Sequence, residues 1–141
     1  TWKKQGIISD DFDKTCEEFL NTTHCETCFI RLTFGEGRNS RSKCLDHDHS
    51  ISNSHNIRNV LCRACNVNDN SKNTSGNTNI YWLKSNKRWI YKRTWHGIKY
   101  FRSFNFFVQA CIYKKQIEDK YIENNKQIMI KELLEERNKM E

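Results

Sequence analysis

Between residues 76 and 115 the chain has no acidic residue at all, against nine lysines and arginines. No carboxylate is present there to offset the positive charge. No apolar run approaches the length of a membrane span, which excludes a membrane-crossing helix. No secretory leader is visible at the start, Thr1. Hydrophobic residues make up only 36% of the 141 positions, so the core is modest and a metal staple makes thermodynamic sense. That length sets a ceiling of one compact domain with an appendage, or two very small domains.

The basic block is where the net charge of +7 originates. Residues 1–75 balance ten basic against ten acidic side chains, and residues 116–141 carry five against seven. The block also holds 11 of the 17 aromatics. A basic, aromatic segment without carboxylates is the electrostatic footprint of a nucleic-acid partner. The same composition also fits a small basic domain whose aromatics form its core, and both readings hold together.

Of seven cysteines, four fall in two pairs, Cys25-Glu-Thr-Cys28 and Cys62-Arg-Ala-Cys65. A two-residue spacer lets both thiolates reach one tetrahedral ion, and two such pairs close the coordination sphere of a structural Zn²⁺. Disulfides fit less well, because Cys16, Cys44 and Cys111 would remain as an odd, scattered set. Cysteines without pairing logic favour a reducing, intracellular compartment.

Between the pairs lies Leu45-Asp46-His47-Asp48-His49, and Asn66 follows the second pair directly. A neutral imidazole takes a proton from water near pH 7, which aspartate does poorly. Carboxylate and amide oxygens suit Mg²⁺ or Mn²⁺, which stabilise charge building on a phosphate. Such a run also binds transition metals or simply sits exposed. Perfect strand alternation places Asp46 and His47 on opposite faces, so a joint role requires an irregular backbone there.

The pattern Cys25-x-x-Cys28, Cys44-Leu45-Asp46-His47-Asp48-His49 and Val60-Leu61-Cys62-Arg63-Ala64-Cys65-Asn66 resembles the phage recombination endonuclease VII family. That family belongs to the His-Me finger (HNH, ββα-metal) nucleases, and the likeness covers roughly residues 20–70. It implies zinc on Cys25, Cys28, Cys62 and Cys65, His47 as the base that activates water, and Asp46 with Asn66 on the catalytic Mg²⁺ or Mn²⁺. His49 orients a phosphate or the nucleophile, or else packs beside the zinc knuckle. The middle asparagine of such enzymes is Asn56 or Asn59. His24 and His55 read as a neighbour of the zinc turn and a solvated loop residue. A phage- or virus-infected host cell fits the resemblance.

The expected fold class is α+β, with a zinc-stapled ββα-metal nuclease core, a small three-strand-plus-helix module and a C-terminal helix. The divisions are 1–75, 76–121 and 122–141. Phe12, Cys16, Phe19 and Leu20 at helical spacing predict a helix over 10–20, opened by Ser9 or Asp10 and packed on the zinc core. Phe29–Thr33 reads as a strand whose partner is Lys43–His47, and a short helix starts near Cys65. The asparagine-rich stretch 66–79 reads as a linker or extended loop. Strand-like runs follow at Ile80–Leu83, Arg88–Arg93 and Ile98–Arg102, separated by turns at 85–87 and 95–97. A helix over 104–121 carries Phe107, Cys111 and Ile117 on one side. A second, charged helix over 124–141 carries Ile130, Leu133, Leu134 and Arg137 along one face, which can pack back, fray or form a homodimer.

Three basic, aromatic strands and a helix, with Arg88-Trp89, Gly97 and Phe104 so placed, resemble the ethylene-response-factor type of DNA-binding domain. That likeness implies a sheet that reads the major groove, with contacts among Lys84, Lys87, Arg88, Lys92, Arg93, Lys99 and Arg102. The expected function is a metal-dependent DNA endonuclease acting on double-stranded or branched DNA, site-specific in the homing manner. A Holliday-junction resolvase is the alternative within that class, and it needs two active sites. A non-catalytic zinc-containing DNA-binding protein is the alternative from another class, and RNA is a further possible substrate.

Overall fold

The computed structural model describes residues 2–35, 37–69, 75 and 77–140. It is a mixed α/β chain with two small antiparallel sheets and a long C-terminal helix. The chain divides into two compact units, Thr1–Asn66 and Val67–Glu141. Residues 70–74 and 76 of the expected linker lie outside the described residues.

In the first unit, helix α1 (Phe12–Asn21) is opened by Asp11, whose side chain accepts the Lys14 backbone N–H at 3.1 Å. Neither Ser9 nor Asp10 takes that place. The Ser9 hydroxyl is held by Thr15 at 2.6 Å and accepts the Asp11 N–H, so it braces the cap from outside. Phe19 packs with Ile7, Leu45 and Val60 to form the core, while Cys16 and Leu20 face outward.

Strands β1 (Lys43–His47) and β2 (Ile57–Cys62) form an antiparallel hairpin, followed directly by the short helix α2 (Arg63–Asp69). The expected partner of β1, Phe29–Thr33, is not a strand; it contributes only the isolated bridges His24–Arg31 and Thr33–Ser42. The reason is local. Phe29 adopts φ 63° as its N–H closes the cysteine turn onto the Cys25 carbonyl at 3.0 Å, and a left-handed residue interrupts an extended run.

The second unit carries a sheet in the order β3-β4-β5: Ile80–Leu83, Arg88–Trp95 and Ile98–Phe104. Trp95 and Ile98 are paired, leaving His96 and Gly97 as a two-residue turn with φ of 49° and 83°. Two positive φ values give the type I′ geometry that matches strand twist, and glycine takes the second at no steric cost. Helix α3 (Phe107–Met140) covers one sheet face through Phe107, Ala110, Cys111, Tyr113 and Ile117.

Two separate helices were expected over 104–121 and 124–141, yet Phe107–Met140 is a single helix. That stretch contains no glycine or proline to stop it, and it spans about 51 Å at 1.5 Å per residue. Burial ends at Asn125, and Ile130, Leu133 and Leu134 remain exposed. No helix among the described residues is long and apolar enough to cross a membrane.

Candidate metal centre and the hairpin beside it

The four paired cysteines converge. Their sulfurs lie within 4.8 Å of one another, and all four residues are buried. Cys28 Sγ and Cys62 Sγ are 3.8 Å apart, about the edge of a tetrahedron with 2.3 Å metal–sulfur bonds and far beyond a disulfide. Backbone N–H groups of Thr27 and Cys28 point at Cys25 Sγ, and that of Cys65 points at Cys62 Sγ, at 3.4–3.5 Å. Such donors stabilise thiolates. The donor set, its spacing and its burial fit Zn²⁺, so the cluster can hold a structural zinc.

Thiols packed this closely titrate together. For Cys25 the hydrogen bond with Cys28 opposes ionisation, but those with Cys62 and Cys65 outweigh it, and the thiol is drawn down to about 7. Cys62 and Cys65 are pushed up, chiefly by their hydrogen bonds with Cys25 and Cys28 and then by burial. Cys16, Cys44 and Cys111 stand outside the cluster.

The knuckle is fastened to the hairpin by Glu26. Its N–H donates to the Val60 carbonyl at 3.1 Å, and its carboxylate accepts the Val60 N–H at 2.8 Å. Lys43, at the start of β1, donates to the Phe19 and Leu20 carbonyls at 2.8 and 3.4 Å, and its ammonium lies over the Phe19 and Phe34 rings. It therefore caps the C-terminus of α1 from the strand.

The hairpin is irregular at the Asp46–His47 pair, and the extra residue lies in β2. Leu45 pairs with Val60 and His47 with Ile57, so two β2 residues, Arg58 and Asn59, stand opposite the single Asp46. Leu45 and Asp46 are both buried. Asp46 Oδ1 accepts from Arg58 Nη2 at 2.9 Å. His47 ends the strand, and the ring of exposed His49 lies 4.2 Å from its own, centroid to centroid. Burial first, and then His49, holds His47 below the ordinary histidine value; Arg58 adds to this, while Asp46 and Asp48 oppose it. These effects together favour the neutral imidazole.

No family model, curated protein or solved structure matches this chain. The site therefore stands on its own geometry.

The loop after β1 is pinned by Asn56, which is buried, whereas Asn59 is exposed. The Asn56 side chain accepts the Ile8 N–H at 2.8 Å and donates to the Gly6 and Ile51 carbonyls at 2.8 and 3.0 Å. Its backbone carbonyl accepts the Asp48 N–H at 2.7 Å. One side chain thus ties the N-terminal strap to the loop that follows His47. Gly6, at φ 86°, brings the strap so close that a Cβ there would lie 3.8 Å from His47 Nε2. Sequence patterns alone did not reveal Arg58 or decide between Asn56 and Asn59. His24 is a buried structural residue bonded to Thr23, and His55 accepts the Asp10 N–H at 3.1 Å rather than being merely solvated.

Among the described residues, the four cysteines are the one group of three or more His, Cys, Asp or Glu within metal-binding reach. Asp46 offers hard oxygen chemistry, but Oδ1 already faces the Arg58 guanidinium. Asn66 lies in the first turn of α2.

The seven basic residues expected to touch DNA do not share one face. Strand alternation and the β4–β5 register put Arg88, Lys92 and Lys99 on the face turned away from α3. Lys84 and Lys87 sit in the exposed β3–β4 turn. Arg93 is a correction. Its side chain is only 7% exposed, it pairs with Glu118 at 3.2 Å, and its guanidinium stacks 3.5 Å over the Trp95 ring. Glu118 also accepts from Tyr91 Oη and Lys114, closing a partly buried network at the helix. Burial first, and then Glu118, pushes the Tyr91 hydroxyl up, so it stays a donor. Arg102 also lies on the helix side, with its guanidinium over Phe104 and Tyr113.

Proposed function

We propose that this chain is a metal-dependent DNA endonuclease, acting site-specifically, that hydrolyses phosphodiester bonds with His47 as general base. The observation that carries the reading is His47 itself. It is an imidazole, held below its ordinary value by burial, next to the buried carboxylate of Asp46 at the bulged end of a hairpin fastened to a four-cysteine cluster. This hairpin and α2 follow in ββα order, the order expected of a His-Me finger core.

Water bound near His47 gives its proton to the imidazole as its oxygen forms the bond to phosphorus, and the bond to the leaving sugar oxygen breaks. Asn56 ties the loop after His47 to the Gly6 strap that passes beside the ring. Asp46 and Asn66 are the oxygen donors that would hold Mg²⁺ or Mn²⁺, and His49 would orient the phosphate. Such an ion would supply stabilisation for the charge building on the phosphate. Zinc on Cys25, Cys28, Cys62 and Cys65 would hold structure only.

Two observations favour other readings. Exposed Ile130, Leu133 and Leu134 on α3 suit a homodimer, which a branched-DNA resolvase with two active sites needs. The Arg58–Asp46 pair satisfies the carboxylate without a metal ion, as a non-catalytic zinc-containing DNA-binding protein would. The deciding experiment is cleavage of supercoiled plasmid and of a synthetic four-way junction, with and without Mg²⁺, by the native chain and by zinc-loaded, folded His47→Ala. Mg²⁺-dependent cutting that is lost in the variant supports the nuclease. Preference for the junction favours the resolvase, and DNA binding without any cutting favours the binding protein.

A further inference from the structure

Among the described residues, α3 packs on one face of the second unit's sheet, while the opposite face buries Ile90 and leaves the residues around it exposed. Trp89, Tyr91, Arg93 and Trp95 alternate onto the helix side, where Trp89 meets Phe107, Tyr91 and Arg93 meet Glu118, and Trp95 meets Tyr121. The opposite face must then carry Arg88 and Lys92 from β4, Lys99 and Phe101 from β5, and Tyr81 from β3. Phe101 is 64% exposed and Tyr81 45%. Phe101 lies directly across from Lys92 in the register, and Lys99 is its same-face neighbour along the strand. Arg88 is anchored on this face by Ser103 and Asn105.

We propose that this face binds single-stranded DNA, with unpaired bases stacking on Phe101 and Tyr81 and phosphates meeting Lys92 and Lys99. The proposal rests on the DNA-directed reading above and deepens it by naming the form of DNA. Three observations support it. Phenylalanine has no donor or acceptor with which to read a base edge, so beyond an apolar contact with a thymine methyl an exposed Phe beside two lysines offers nucleic acid its π face. A base offers its π face only when it is out of the duplex stack. Residues 76–115 hold no carboxylate to repel a phosphate chain. The two rings sit on strands about 10 Å apart, separated by β4, and are offset by two residues along the sheet, which leaves room for more than one base.

The test uses full-length, zinc-loaded protein without added Mg²⁺, and fluorescence anisotropy with labelled oligonucleotides of about 20 nucleotides. Single-stranded DNA, the same sequence as a duplex, and its RNA counterpart are compared at one salt concentration. Phe101→Ala and Tyr81→Ala should each weaken single-strand binding by roughly 5- to 100-fold, since a base–aromatic stack contributes on that order, and leave duplex binding unchanged. Phe101→Leu should lose as much as Phe101→Ala, because it keeps apolar bulk without a π face. Lys92→Ala and Lys99→Ala should weaken both forms and lower the salt dependence by about one ion each. Retained single-strand affinity in Phe101→Ala or Phe101→Leu, with Lys92→Ala still harmful, overturns the stacking proposal and leaves a DNA-binding protein. Tighter binding to the RNA strand overturns the choice of DNA. Absence of binding to every oligonucleotide overturns the DNA-directed reading itself.

Discussion

Arg58 and Asp46 face each other across the hairpin bulge, with Arg58 Nη2 2.9 Å from Asp46 Oδ1. The pairing exists because an extra residue in β2 aims the guanidinium at a carboxylate that would otherwise be buried alone. Asp46 is 3% exposed and Arg58 41%, so water screens one partner and not the other. Arg58→Met should therefore cost about 1–3 kcal/mol, mainly from leaving the carboxylate without its counter-charge. Asp46→Asn combined with Arg58→Met should cost less than the sum of the two. Urea denaturation of the four proteins measures this coupling, and strict additivity would count against the pair.

Zinc should be stoichiometric with the chain and required by the first unit. Metal analysis should return one zinc per chain, falling sharply in Cys62→Ser. Chelation should unfold the β1–β2 hairpin, because apparent zinc-binding energies of about 10–16 kcal/mol act as folding energy in small modules. Helix α3 belongs to the other unit and should keep its circular-dichroism signal. A hairpin that keeps its amide protection after complete zinc removal would refute this dependence.

Asn56→Ala should destabilise the protein by about 1–3 kcal/mol, because the Ile8 N–H and the Gly6 and Ile51 carbonyls lose their partner. Asn59→Ala, at an exposed strand position, should lie within about 0.5 kcal/mol of the native chain. Thermal melts of both check the contrast. Equal effects would mean that Asn56 does not pin the loop.

Arg93→Met and Lys92→Ala are neighbours in sequence and should separate cleanly. Arg93→Met removes the cation from a partly buried network with Glu118 and Trp95, so stability should fall by about 1–3 kcal/mol with DNA affinity unchanged. Lys92→Ala should weaken DNA binding severalfold with stability unchanged. Paired melts and binding isotherms decide this, and DNA affinity that tracks Arg93 would reverse the assignment of faces.

Gly6 at φ 86° passes beside His47 without clash, so Gly6→Ala should cost about 1 kcal/mol of backbone strain while leaving the His47 site accessible. Chemical denaturation gives the cost. A loss well above that value would point to a steric conflict at the imidazole.

Sequence alone determined what short-range geometry dictates. A two-residue spacer can only make a narrow thiol pair, so the four zinc-type cysteines were legible before any fold was known. Strand-like runs bounded by polar turns located the three strands of the basic block, although β4 and β5 extend to Trp95 and Phe104, past the expected ends at Arg93 and Arg102. Only tertiary structure decided that β1 pairs with Ile57–Cys62 rather than with Phe29–Thr33. The same holds for the bulge that buries Asp46 against Arg58, for Asn56 as the pinning asparagine, and for the turning of Arg93 inward to Glu118. Each of these depends on register or on a partner distant in the chain, where a slip of one residue reverses a side chain's face. Composition placed the charge within the chain, and packing decided which of it faces water.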